Sequence, residues 1–184
     1  LVLDVRDGGE FHRPRAREHP GLDDPAHGLA VEHPFRDETG CTADNVCTIT
    51  LTGDPTVVSE ELIIDGSANA AIITLSGNNQ FRTMENTAPL TLINLTLTNG
   101  YTLYDGGAIV ARAALTLNGV TKKNSRADWL GVGMHSDGVA YVSNSTISNN
   151  TAGTGQVGGA WFSAATVMTN TTISGNTASK ASAA

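Results

Sequence analysis

Aromatic residues are scarce in this chain, 5% of its 184 positions. That scarcity argues against a large aromatic-lined sugar cleft and against a base-stacking platform. Basic residues are few as well, 11 against 18 acids, for a net charge of −7. Proteins that hold nucleic acid through its phosphates present a basic face, so nucleic acid is excluded as a partner. No apolar run approaches the roughly 18 residues of a membrane-spanning helix, and no transmembrane segment is predicted. The first residues hold neither an initiator methionine nor an apolar signal core, so the chain reads as a processed product or as part of a longer one. Cysteine is limited to Cys41 and Cys47. A zinc site would need two more ligands nearby, and none is suggested. The spacing fits a small disulfide loop formed in an oxidising compartment, with two free loop thiols as the alternative.

Helical patterning is absent too, and the density of Thr, Asn, Gly and Val disfavours helix. What takes its place is a repeat. LTLINLTLTNG from Leu90, LTLNGVTKKNS from Leu115, AYVSNSTISNN from Ala140 and TVMTNTTISGN from Thr166 begin 25, 25 and 26 residues apart. A near-constant period of this length signals a solenoid, in which each repeat buries its apolar face only against its neighbours. Alternation of period 2 within each segment marks strands. Several strands per period fit one coil of a parallel β-helix of about five coils, an all-β fold. The shorter runs TITLTG, ELIIDG and AAIITLSG from Thr48 onward read as less regular first coils.

The register assigns columns. Leu92, Leu117, Val142 and Met168 form one inward column, and Leu97, Lys122, Ile147 and Ile173 another. Thr96, Thr121, Thr146 and Thr172 form an outward ladder, with Thr98, Lys123, Ser148 and Ser174 beside it. Lys122 stands where its column wants an apolar residue, so the strand is expected to shift locally or the lysine to snorkel outward. Lys122, Lys123, Ser125 and Arg126 make this the atypical coil. Asn94, Asn144 and Asn170 form a column at turns, with Gly119 as its gap, suited to hydrogen bonding along the stack. Glycine corners at Asp105–Ile109, Gly131–Met134 and Gly158–Trp161 precede the regular strands, and Ile109, Met134 and Trp161 are expected to point inward.

Composition changes near residue 40. Residues 1–40 hold four of the six prolines, four of the five histidines (His12, His19, His27, His33), five arginines and nine acids. Apolar periodicity is weak there, so this segment reads as an irregular acidic arm unable to fold by itself, ordered only against a partner or the side of the solenoid. The β-helix domain spans 41–184, and its small-residue tail, Ala178–Ala184, supplies no amphipathic cap. Open solenoid ends invite strand pairing, so a cut chain or an end covered by another protein is expected.

The corners Gly106-Gly107-Ala108-Ile109 and Gly158-Gly159-Ala160-Trp161, with the strand ends Ile147-Ser-Asn-Asn150 and Ile173-Ser-Gly-Asn176, each followed by Thr-Ala, resemble the polymorphic outer-membrane-protein and adhesin-like secreted repeat families. The resemblance covers roughly residues 48–178. Lys122 and Ser125 depart from its pattern. It implies a right-handed parallel β-helix, usually extracellular and not catalytic in its repeats.

Carbohydrate-active β-helix enzymes of lyase or glycosidase type need clustered carboxylates. Asp54, Glu60, Glu61, Asp65, Glu85, Asp105, Asp128 and Asp137 share no phase on the strands and read as turn formers. The loosely charged neighbourhood is Lys122, Lys123, Arg126 and Asp128, with His135 and Asp137 later in the same coil. No Ser–His–Asp spacing, phosphate-cradling glycine loop or metal-ligand cluster stands out, so no catalytic residue, cofactor or metal is expected. The T-x-T and T-x-S pairs also match the hydroxyl grid of an ice-binding β-solenoid, interrupted by Lys123. Four sequons, at Asn94, Asn144, Asn149 and Asn170, follow from an Asn/Thr-rich repeat. The expected function is therefore a non-catalytic structural or protein-interaction module: an extracellular or cell-surface adhesin-like segment, or an accessory subunit of a larger assembly. Its partner would be another protein, with carbohydrate second. The enzyme and ice-binding readings are the alternatives.

Overall fold

The structure is a computed structural model; it describes residues 46–67, 72–155 and 157–179, with the backbone of Val2–Val5 and Phe35–Arg36. In chain order, β1 (Val2–Val5) and β2 (Phe35–Arg36) precede β3 (Val46–Leu51), β4 (Leu62–Asp65) and β5 (Ile72–Ser76). Three-cornered coils of four strands follow. The first is β6 (Met84–Asn86), β7 (Leu90–Ile93), β8 (Leu95–Thr98) and β9 (Tyr101–Thr102). The next is β10 (Ile109–Ala111), β11 (Leu115–Asn118), β12 (Thr121–Lys123) and β13 (Arg126–Ala127). Then come β14 (Met134–Ser136), β15 (Ala140–Ser143), β16 (Thr146–Ser148) and β17 (Thr151–Ala152), and finally β18 (Ala160–Phe162), β19 (Thr166–Thr169), β20 (Thr172–Ser174) and β21 (Thr177–Ala178). Like positions stack into four ladders: β1-β4-β7-β11-β15-β19, β6-β10-β14-β18, β2-β3-β5-β8-β12-β16-β20 and β9-β13-β17-β21. The pairing within the solenoid is parallel throughout, giving an all-β parallel β-helix of about five turns. Among the described residues no helix is long and apolar enough to cross a membrane.

Two strands from the segment read as an irregular arm add to the first edges. β1 pairs antiparallel with β4, and β2 pairs antiparallel with β3. Each occupies backbone groups that an edge strand would otherwise present for association. The remainder of 1–45, including Cys41 and the four histidines, lies outside the described residues. Cys47 carries no free thiol; its proposed pairing with Cys41 falls outside the described residues.

The interior follows the period-2 alternation. Leu62, Leu90, Leu115 and Ala140 stack in one column, Ile64, Leu92, Leu117 and Val142 in the next, and all are buried. Each fully buried leucine contributes about 2 kcal/mol of apolar transfer. Sharp corners separate the ladders. Asn94, Asn144 and Asn170 adopt φ of 46–50°, and Gly119 takes 68° at the same corner. Left-handed backbone costs most residues energy; Asn tolerates it and Gly is indifferent. A second corner repeats the device with Asn99, Asn124 and Asn149 at 51–55° and Gly175 at 62°. Asn170 Nδ2 donates to Asn144 Oδ1 (2.8 Å), and Asn144 Nδ2 donates to Asn118 Oδ1 (2.9 Å), so Asn118 supplies the rung that Gly119 lacks.

The atypical coil differs from both expectations for Lys122. The strand is not shifted: Lys122 pairs in register with Leu97 and Ile147. Nor does its side chain reach water; it is 0% exposed, the largest fully buried side chain among the described residues. Backbone pairing on both sides holds the register, and the side-chain parity then leaves the lysine no outward route. Ser125 replaces Asn without losing the bond. Its Oγ accepts the Gly100 N–H (3.1 Å), as Asn150 Oδ1 accepts that of Ser125 (3.0 Å) and Asn176 Oδ1 that of Asn150 (3.0 Å).

Trp161 also departs from expectation. Met134 pairs with Ala160, and His135 with Trp161, so the ring belongs to the outward column. The cause is local. Ala127 still pairs with Ala152, 25 residues on, whereas Met134 pairs 26 residues on. One extra residue lies in the corner between them, and a one-residue offset exchanges the two faces of a strand.

Candidate functional site

The same parity places Glu85, Val110, His135 and Trp161 in one outward column across β6, β10, β14 and β18. The corner segments that follow β9 and β13 run alongside it. Asp105, in the first of them, accepts the Leu130 N–H of the second through Oδ1 (2.7 Å). Its other oxygen, Oδ2, faces His135 Nδ1 at 3.9 Å, too far for a hydrogen bond. That nitrogen is buried and has no hydrogen-bond partner. On its other side His135 meets Asp137, with Nε2 3.1 Å from Oδ1. Asp137 Oδ1 also accepts the Ser163 hydroxyl (2.9 Å) from the next coil.

Arginines extend this cluster toward β6. Arg112 Nε donates to Glu85 Oε1 (3.0 Å), and Arg112 Nη1 lies 4.0 Å from Asp137 Oδ2. Arg82 pairs with Glu85 through Nη1 and donates to the carbonyls of Gly106 (3.1 Å) and Asp105 (3.0 Å). Each of these bonds joins one coil to the next or clamps a corner onto the sheet. Burial by itself would raise the Asp137 carboxyl; the hydrogen bonds from Ser163 and His135, with positive charge on His135 and Arg112, outweigh it and hold the group below its ordinary 3.8.

The chemistry open to this arrangement is limited. A nucleophilic serine must donate to its imidazole; Ser163 donates to Asp137 instead. A glycosidase acid needs a carboxyl held above its usual range, and Asp137 is held below it. Among the described residues no group of three or more His, Cys, Asp or Glu side chains is placed to hold a metal ion.

The neighbourhood read from the sequence is divided. Arg126 lies 3.9 Å from Asp128 on an exposed corner. Lys123 is half-buried on the outer face. Lys122 sits inside, with Nζ 3.0 Å from Met134 Sδ, a weak acceptor. Loss of hydration lowers its ammonium from 10.5 to about 7. His135 and Asp137 join Asp105, Arg112, Glu85 and Arg82, which the sequence reading had not grouped. The signal was there: Glu85, Val110 and His135 recur at the repeat spacing.

On the opposite ladder, Thr96, Thr121, Thr146 and Thr172 stand in one column, extended at its start by Thr48 and Thr74. The column beside it reads Thr50, Ser76, Thr98, Lys123, Ser148 and Ser174. No protein-family model, curated protein or solved structure matches the chain.

Proposed function

We propose that this chain is a non-catalytic structural and interaction module, an adhesin-like segment or accessory subunit that works outside the cell. The arrangement around His135 carries the reading. Its polar groups are tied to one another, His135 to Asp137 within a coil and Ser163 to Asp137 and Arg112 to Glu85 across coils, as staples of the solenoid, and the serine bonds the carboxylate rather than the imidazole. The glycine corners and Asn-ended strands, which resemble the polymorphic outer-membrane-protein and adhesin-like repeats, support a surface-displayed role, as does the lack of a free thiol at Cys47. The test is incubation of the purified chain with pectin, alginate and xylan, followed by assay of new reducing ends and unsaturated uronate. No release above buffer is expected. Cleavage that disappears in His135→Ala would sink the proposal and return the enzyme reading.

A second reading, ice binding, is favoured by the column Thr96, Thr121, Thr146 and Thr172, in unbroken register and open to solvent, whereas Thr74 at its start is buried. Strand spacing of about 4.8 Å sets a regular row of methyl and hydroxyl groups along that face. Thermal hysteresis of the chain, compared with that of Thr96→Tyr/Thr146→Tyr, decides it. Absence of hysteresis, or hysteresis unchanged in the double variant, ends this reading.

A further inference from the structure

The corner beside the His135 cluster carries exposed aromatic rings in a chain that has few. Tyr104 is 67% exposed, Trp129 60% and Trp161 38%. These include both tryptophans of the protein. Tyr104 and Trp129 occupy equivalent places in successive coils, tied by the Trp129 N–H to the Tyr104 carbonyl (3.3 Å). Trp161 follows His135 in the outward column. The corner that bears Trp129 reaches it: a Cβ added to Gly131 would lie 3.0 Å from Trp161 Cβ. Rings so placed add little to the interior, and clustered exposed aromatics mark interaction surfaces.

The polar groups beside the rings narrow the choice of partner. Arg82 and Arg112 stand against Glu85, Asp105 and Asp137, a net of one negative charge with His135 neutral. Phosphate or sulfate would meet carboxylates here, and a cation would compete with Arg112 for Asp137 and Glu85. A neutral polyhydroxylated ring meets neither obstacle. Its aliphatic face stacks on indole or phenol, while its hydroxyls both donate and accept. Asp105 and Asp137 offer acceptors, and Arg112, half-exposed, offers donors. Coils rise by about 4.8 Å, close to the length of one hexopyranose unit, so an extended saccharide lying along the axis would meet Tyr104 and Trp129 with successive units.

We propose that the Tyr104–Trp129–Trp161 strip, with Asp105, Asp137, Arg112 and His135 beside it, binds a neutral hexopyranose chain. The inference rests on the interaction-module reading and supplies its partner: an open strip for a polysaccharide rather than a cleft.

The experiment titrates the full chain with cellohexaose, chitohexaose and maltohexaose, read by tryptophan fluorescence and by calorimetry, with tetramethylammonium and inorganic phosphate as charged probes. Both fluorophores lie on the strip, so a shift reports occupancy there. At least one hexasaccharide is expected to bind. Trp129→Ala and Trp161→Ala should each weaken it by roughly three- to tenfold, the worth of one aromatic stacking contact. Tyr141→Ala, an exposed ring on another ladder, should leave it unchanged. The proposal is overturned if none of the three saccharides binds, if binding survives both tryptophan variants, or if only a charged probe gives a signal. Chromatography of the bound saccharide separates this outcome from the function beneath it. Intact sugar keeps both conclusions; cleaved sugar removes the non-catalytic reading and leaves the ligand class standing. Absent binding removes the ligand class alone.

Discussion

The third and fourth regular coils carry the same columns and bury them differently. Val142 and Ile147 are 1% and 0% exposed, whereas Met168 and Ile173, one coil further on, are 37% and 49% exposed. Backbone pairing is equally regular in both. The difference lies in what stacks beyond: among the described residues no strand follows β19 or β20 in its ladder. Inward direction in a solenoid is thus a property of the strand, and burial a property of the neighbouring coil. Lys122 is the sharpest case. It is a charged residue type in an inward position, and coils on both sides leave it no water.

The largest effect is expected at that lysine. Lys122→Leu matches its column neighbours Leu97 and Ile147 and removes an amine that has only a thioether for a partner. It should stabilise the chain by about 3–5 kcal/mol at neutral pH, read from urea unfolding midpoints. The pH dependence follows from a folded value of about 7 against 10.5 for an ordinary lysine. Between those values the unfolded chain holds a proton that the fold does not, so stability rises from about pH 7 toward pH 10.5. Below pH 7 this group adds no further change. Lys122→Leu should abolish that rise; equal slopes in the two proteins would refute the buried placement.

Truncation within one column should separate the coils next. Leu117→Ala removes a side chain with no exposure and should cost about 3 kcal/mol. Met168→Ala, in the same column, should cost under about 1 kcal/mol, because its site is already wet. Equal costs would mean that something covers the fourth coil in solution. The asparagine rungs offer a smaller contrast. Asn150 is fully buried and bonds Ser125 N, Asn176 Oδ1 and Lys122 O. Asn150→Ala should cost about 2 kcal/mol. Asn150→Ser should recover part of it, since Ser125 makes the equivalent bond to the coil before it.

The smallest expected change is on the outer face. The Asp137 carboxyl is held low in the fold, so its contribution is present above its ordinary 3.8 and fades as pH falls through the lower folded value. Asp137→Asn should cost under about 1 kcal/mol at neutral pH, because the side chain is 42% exposed and its ion pairs are screened. It should also flatten acid unfolding, followed by circular dichroism.

Much of the fold was legible because a parallel ladder repeats its register. Once Leu90, Leu115 and Ala140 align, parity places the residues of those strands on their faces. The candidate site was less legible. Asp105 and His135 sit 30 positions apart, off the repeat spacing, and meet only because a corner folds back along the outer face. Arg82 and Glu85 are close in sequence, but Arg112 belongs to the next coil and joins them only through stacking. The Gly-Gly-Ala corner before Trp161 looks like the one at Gly106 and points to the inward face, but the added residue upstream shifts the strand by one and turns the ring outward.

The amino-acid order by itself determined the repeat length, the strands and the alternation that sends leucine inward and threonine outward, because these depend on local geometry with a period of two. Only the tertiary structure decided that Lys122 has no escape, that the fourth coil's inward residues stay exposed, and that His135 lies between two carboxylates, next to an exposed tryptophan in its column. Those outcomes depend on which coil lies above and below, and the contacts between coils bring together residues about 25 positions apart that no local pattern connects.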